Sequence, residues 1–142
     1  MLTVLLAGCR TGPVINFKNH PIAAIAGTPM ESELVADGIM QAGNRLGWKM
    51  SKRGTNEIYA YIDHNDRQAV ILISFSERAY SVKYLKSQNF LYDGQKIHKS
   101  YNKLVLNLIW GIDNELNTIA NKELFEKGKI YIKKIPTPTA DK

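Results

Sequence analysis

Apolar positions recur along this chain with two different periods, and the switches between them divide it into elements. Val35, Ile39, Ala42 and Leu46 fall at helical spacing and predict an amphipathic helix over 29–46. Thr28-Pro29-Met30-Glu31 supplies a capping residue, a proline suited to the first turn and the glutamate of a capping box. Gly47 then ends the helix in a left-handed conformation. From residue 48 the period falls to two. Residues 48–53 set Trp48 and Met50 against Lys49 and Lys52. Residues 57–63 set Ile58, Ala60 and Ile62 against Tyr59 and Tyr61. Residues 68–76 are apolar on both faces, as a central strand is, and 79–86 alternate again through Tyr80, Val82 and Tyr84. The turns fall at Gly54-Thr55-Asn56, His64-Asn65-Asp66-Arg67 and Ser76-Glu77-Arg78.

A loop at 87–96, with Asp93-Gly94 at its tip, precedes a second helical stripe of Tyr101, Val105, Leu108, Ile112 and Ile119. It predicts a long helix over 97–121, with Gly111 inside it for a close helix approach. Residues 129–135 are basic and β-prone and predict an edge strand. The order is helix, antiparallel meander of three or four strands, long helix: an α+β fold with both helices on one sheet face. The predicted organisation is a signal segment at 1–8, a tether at 9–27 with a short strand near 14–17, one domain at 28–135 and a frayed tail at 136–142.

The chain has 142 residues, enough for one domain. Its ordinary shares of hydrophobic (44%) and charged (23%) residues exclude a disordered or fibrous chain, and its one cysteine excludes a disulfide framework or a multi-cysteine zinc site. The net charge is +6, of which +4 falls after Asp93. That balance favours anionic neighbours without naming one.

The amino terminus is apolar, then small, then cysteine. Leu6-Ala7-Gly8-Cys9 resembles the lipobox of bacterial lipoproteins, in which the thiol accepts a diacylglycerol and the chain is cleaved before it. The resemblance implies a lipid anchor at Cys9, and Arg10 rather than aspartate in the next position implies the periplasmic face of the outer membrane. Eight residues without a basic group are short for a secretory signal, so a start upstream of Met1 is expected.

The segment Tyr80-x-Val82-x-Tyr84-x-x-Ser87-x-Asn89-Phe90-x-Tyr92 … Ile97-His98-x-x-Tyr101-Asn102, with Arg45-x-Gly47-Trp48 upstream, resembles small uncharacterised proteobacterial lipoproteins over about residues 45–112. Lys103-Leu104 departs from a Trp-Ile-like pair expected there. The resemblance supports the helix–meander–helix order and carries no activity.

Nothing in the sequence has the spacing of a catalytic motif. His20, His64 and His98 lack partners at metal-ligand helical spacing. The Asp63-His64-Asn65-Asp66 cluster reads as a turn, and no Gly-x-Ser-x-Gly elbow or phosphate-binding glycine loop is present. The expectation is a binding or structural module, not an enzyme, with no metal and no cofactor. Ser87, Asn89, His98, Tyr101 and Asn102 are candidates for a ligand or partner site at the start of the second helix, where free N–H groups favour anions. The other reading of the same residues is a hydrogen-bond network fastening the loop to that helix. Two surfaces are candidates for a partner: Tyr59 and Tyr61 on the sheet, and Lys129, Lys133 and Lys134 near the carboxyl terminus. The expected partners are the membrane, through the anchor, and an envelope protein or another anionic molecule. The alternative is a basic α-β-β-β-α domain that binds nucleic acid. It lacks the lysine cluster of double-stranded-RNA-binding domains at the second helix, and export would separate it from RNA.

Overall fold

The computed structural model describes residues 10–23 and 27–134, with side chains as far as residue 128. Its elements in chain order are β1 (Thr11–Pro13), β2 (Phe17–Pro21), α1 (Ser32–Arg45), β3 (Lys49–Arg53), β4 (Glu57–His64), β5 (Arg67–Phe75), β6 (Ala79–Gln88), β7 (Lys96–His98) and α2 (Lys99–Lys134). The fold is α+β, with two antiparallel sheets and a long carboxyl-terminal helix. Five strands run in the order β2-β6-β5-β4-β3, and β1 pairs with β7 in a small second sheet.

The meander forms where the period-two pattern places it. Tight hairpins fix its register: Glu57 faces Ser74 and His64 faces Arg67, with Asn65 and Asp66 both at positive φ in the turn. That register sends Ile58, Ala60, Ile62, Ala69, Ile71, Ile73 and Phe75 to one face, where all are buried. Val35, Ile39 and Ala42 of α1 and Tyr101, Val105, Leu108 and Ile112 of α2 close over that face as one core. Gly111 permits the approach of the helices, because a Cβ there would lie 2.8 Å from Leu46 Cδ1. Gly38, against Leu116 and Ile119, serves the same contact from α1.

Several boundaries differ from expectation. α1 begins at Ser32 with Glu31 as its cap residue and no side-chain cap bond, so the capping box at 28–31 does not form. Leu46 is 42% exposed and leaves the stripe. Within the segment read as a tether, Thr11–Pro13 and Phe17–Pro21 are strands. Thr11 faces His98 and Phe17 faces Val82. The edge strand expected at 129–135 is helical as far as Lys134, because α2 continues through the strong helix formers Lys122, Glu123 and Leu124. Residues 1–9, 24–26 and the tail from 135, and with them Cys9, lie outside the described residues.

Candidate functional site

The candidate residues at the start of α2 do not converge on one point: Ser87 and Tyr101 share Tyr84, and the others engage separate neighbours. Ser87 Oγ is 2.8 Å from the Tyr84 hydroxyl. Asn89, at a φ of 61°, donates from Nδ2 to the Asp66 carbonyl across 2.7 Å. Asn102 accepts from the Ile15 N–H and donates to the Pro13 carbonyl, pinning the chain after β1 onto the helix. Tyr101 is fully buried against Tyr84 and Phe90. Burial pushes its phenol well above the ordinary range, with Tyr84 and Tyr92 adding to the effect. No described group bonds its hydroxyl. These contacts correspond to the fastening network more closely than to a set of groups converging on one ligand.

His98 stands immediately before α2. The Ser100 N–H donates to its Nδ1 across 3.1 Å, as in a helix cap, and Ser100 Oγ lies 2.7 Å from the same nitrogen. Arg67 Nη1 donates to that Oγ across 3.0 Å. Nδ1 is therefore an acceptor, and the ring proton belongs on Nε2. Burial first, then the charges of Arg67 and Arg10, holds the imidazole below its usual range. The folded chain binds fewer protons here than the unfolded chain. The associated stability is full above the ordinary histidine pKa of about 6.5 and is lost as pH falls through the lower folded value. Thermal melts at pH 7.5 and pH 5 are therefore expected to differ less for His98→Gln than for the parent chain. An equal drop in both would remove His98 from the account.

A second cluster holds, of the residues singled out in the sequence, only His20 and Tyr80. His20 Nε2 lies 2.9 Å from Asp113 Oδ2, and the Tyr80 hydroxyl donates to Asp113 Oδ1 across 2.8 Å. This cluster joins β2, β6 and α2. Burial, helped by the bond and the charge of Asp113, pushes the Tyr80 phenol far above its ordinary range. The hydroxyl therefore remains a donor at neutral pH. The one available signal was an acid, Asp113, directly after the buried Ile112 of the second stripe.

The far face of the large sheet is the more open surface. Tyr59 faces Leu72 and Tyr61 faces Val70, all four half-buried on the side away from the helices. Arg53 lies over the Tyr59 ring at 4.9 Å and Lys49 over the Tyr61 ring at 5.7 Å. Lys83 faces Leu72 and Lys86 faces Val70 from β6. A β-bulge between these pairs lies beside a shallow depression of about 360 Å³ lined by Tyr61, Val70, Lys86 and Gln88. Lys129, Lys133 and Lys134 fall on the last turns of α2 instead of a sheet edge. Among the described residues no group of three or more His, Cys, Asp or Glu side chains is placed to hold a metal ion. No helix among them is long and apolar enough to cross a membrane.

Comparison with protein-family models, with curated proteins and with solved structures gave no match.

Proposed function

We propose that this chain is a lipid-anchored binding or structural module of the cell envelope. Cys9 carries the anchor on the periplasmic face of the outer membrane, and the open sheet face receives an envelope protein or another anionic partner. The observation that carries the partner reading is the asymmetry of the sheet: two helices bury one side, and Tyr59, Tyr61, Val70 and Leu72 stand half-exposed among Lys49, Arg53, Lys83 and Lys86 on the other. Four cations outnumber the two acids that share this face by register, Glu57 and Asp63, and an apolar area with that balance suits a protein surface that presents carboxylates around an apolar centre. The guanidinium of Arg53 and the ammonium of Lys49 already occupy the tyrosine faces. That arrangement favours an anionic protein over nucleic-acid bases, which need a free ring to stack on.

A photo-crosslinking residue in place of Ser51 or Ser74, both on that face by register, is expected to capture an envelope protein in intact cells. Tyr59→Ala or Arg53→Glu should reduce the capture without unfolding the domain. Exposed substitutions of the latter kind usually stay within about 0.5 kcal/mol. Capture that ignores both changes but disappears when Lys129, Lys133 and Lys134 are reversed would move the partner to the end of α2. No capture from either surface, with turnover of a substrate by the purified protein, would defeat the module reading.

A further inference from the structure

The end of the domain that carries the start of α2 has an uncommon combination of features. Arg10, one peptide bond from Cys9, accepts the Lys99 N–H on its carbonyl at 2.9 Å. From Arg10 on, the chain is therefore held to the start of α2. Beside it, β1 runs antiparallel to β7, with Pro13 opposite Lys96. The loop at 89–95 arches over the same end. The His98 N–H donates to the Phe90 carbonyl, and the Asp93 N–H donates to the Lys96 carbonyl.

That loop buries Phe90 but holds Leu91 61% exposed and Tyr92 42% exposed. Leu91 sits at a φ of 56°, a conformation that a leucine rarely adopts. Tyr92 is braced, its ring centroid 4.5 Å from that of Tyr84 and its hydroxyl bonded to the Gly94 carbonyl. Two large apolar groups are thus held outward by a fixed loop. The exposed cations Arg10, Lys96 and Lys99 lie on the segments bonded to this end, Lys96 through the Asp93 N–H and Arg10 through the Lys99 N–H. The acids at this end are Asp66 and Asp93. The Asp93 carboxylate is committed to the Gln95 and Lys96 N–H groups, which hold it below the usual carboxylate range. That keeps Asp93 charged, so the three cations exceed the two acids at this end by one.

We propose that this end is a membrane-contact surface: Leu91 and Tyr92 enter the headgroup layer of a bilayer whose anionic lipids face Arg10, Lys96 and Lys99. The inference deepens the lipid-anchor reading and rests on it for its setting. An acyl group on Cys9 brings this end, and no other part of the domain, to the lipid. The chemistry is that of interfacial anchoring in general, with aromatic and aliphatic tips at headgroup depth and lysine or arginine around them. Each cation near an anionic surface adds to the attraction within a Debye length.

The test uses the full chain as Cys9→Ser, which cannot carry the lipid, so that acylation and contact are measured separately. Co-sedimentation with vesicles of phosphatidylcholine containing about one third phosphatidylglycerol is expected to exceed that with phosphatidylcholine alone by about tenfold or more, as three cations near an anionic surface allow. Added salt should reduce the difference. Leu91→Asp and the pair Lys96→Glu with Lys99→Glu should each remove most of the binding while far-UV circular dichroism stays unchanged. The pair Lys49→Glu with Arg53→Glu, on the sheet face, should leave it intact. Tyr92→Trp, in a Trp110→Phe background, should shift its emission to the blue on anionic vesicles. Equal binding to both vesicle types, no binding to either, or binding lost only with the sheet-face pair would overturn the proposal. So would preference for an oligonucleotide over the vesicles. Palmitate labelling of the parent chain reports on the anchor alone, so failure of the anchor and failure of the contact are distinguishable.

Discussion

Cys9→Ser should abolish incorporation of labelled palmitate. The expectation follows from chemistry at one atom. The Cys9 sulfur is the nucleophile that would take the diacylglycerol, and a serine oxygen in its place is a far weaker nucleophile. Two or more acyl chains, at about 0.8 kcal/mol per buried methylene, make attachment effectively permanent. A surface contact through a few exposed side chains does not approach that strength. The effect is therefore close to all or none. The domain should remain folded, because its first described hydrogen bond from this end belongs to Arg10. Metabolic labelling of cells expressing each form from the native locus decides the matter. Equal label in both forms, or label in neither, would eliminate the anchor.

Leu108→Ala should lower the unfolding free energy by about 2–5 kcal/mol, the largest effect expected on stability. Leu108 is fully buried in the middle of the α2 stripe, between Tyr101 and Val105 on one side and Ile112 on the other. Truncation there removes apolar burial and leaves a cavity whose walls belong to both helices and the sheet, so little collapse can refill it. Leu106, two residues earlier on the same helix, is 46% exposed. Leu106→Ala should therefore change stability by no more than about 0.5 kcal/mol. Urea denaturation of the two variants makes the comparison internal to one helix. A cost below about 0.5 kcal/mol at Leu108, or equal costs at the two positions, would mean that the stripe does not face the core.

The elements most legible in the sequence are those whose side chains declare a face. Ile58, Ala60 and Ile62 alternate with Tyr59 and Tyr61, and the fold separates them accordingly. Tyr101 through Ile112 recur at helical spacing and are buried together. The short strand expected near 14–17 is not there as such: 14–16 link β1 to β2, which starts at Phe17. Both strands are held largely by backbone bonds to β7 and β6, partners far along the chain, while their own residues show no sustained period. The end of α2 misled for the opposite reason. Lys129-Ile130-Tyr131-Ile132-Lys133 is rich in β-formers, yet it continues a helix already nucleated and packed upstream, where each added residue costs little. At the candidate site the residue types were found, but not their partners. Ser87 and His98 bond to close sequence neighbours, whereas Asn89 and Asn102 reach Asp66 and Pro13, far along the chain. His20 and Asp113 meet only because β2 docks on β6.

The pairing of β1 with β7 and of β2 with β6 also sets an order of events. Thr11 waits for His98 and Phe17 for Val82, whereas β3 to β6 are joined by short hairpins. Local pairings close first because they cost the least chain entropy. A chain that crosses a membrane amino terminus first would therefore bring out β1 and β2 long before anything exists for them to join. The meander and helices would assemble, and the two early strands would clip on last. If the lipid is already seated when they do, closing the small sheet is also the step that draws the finished domain down against the bilayer.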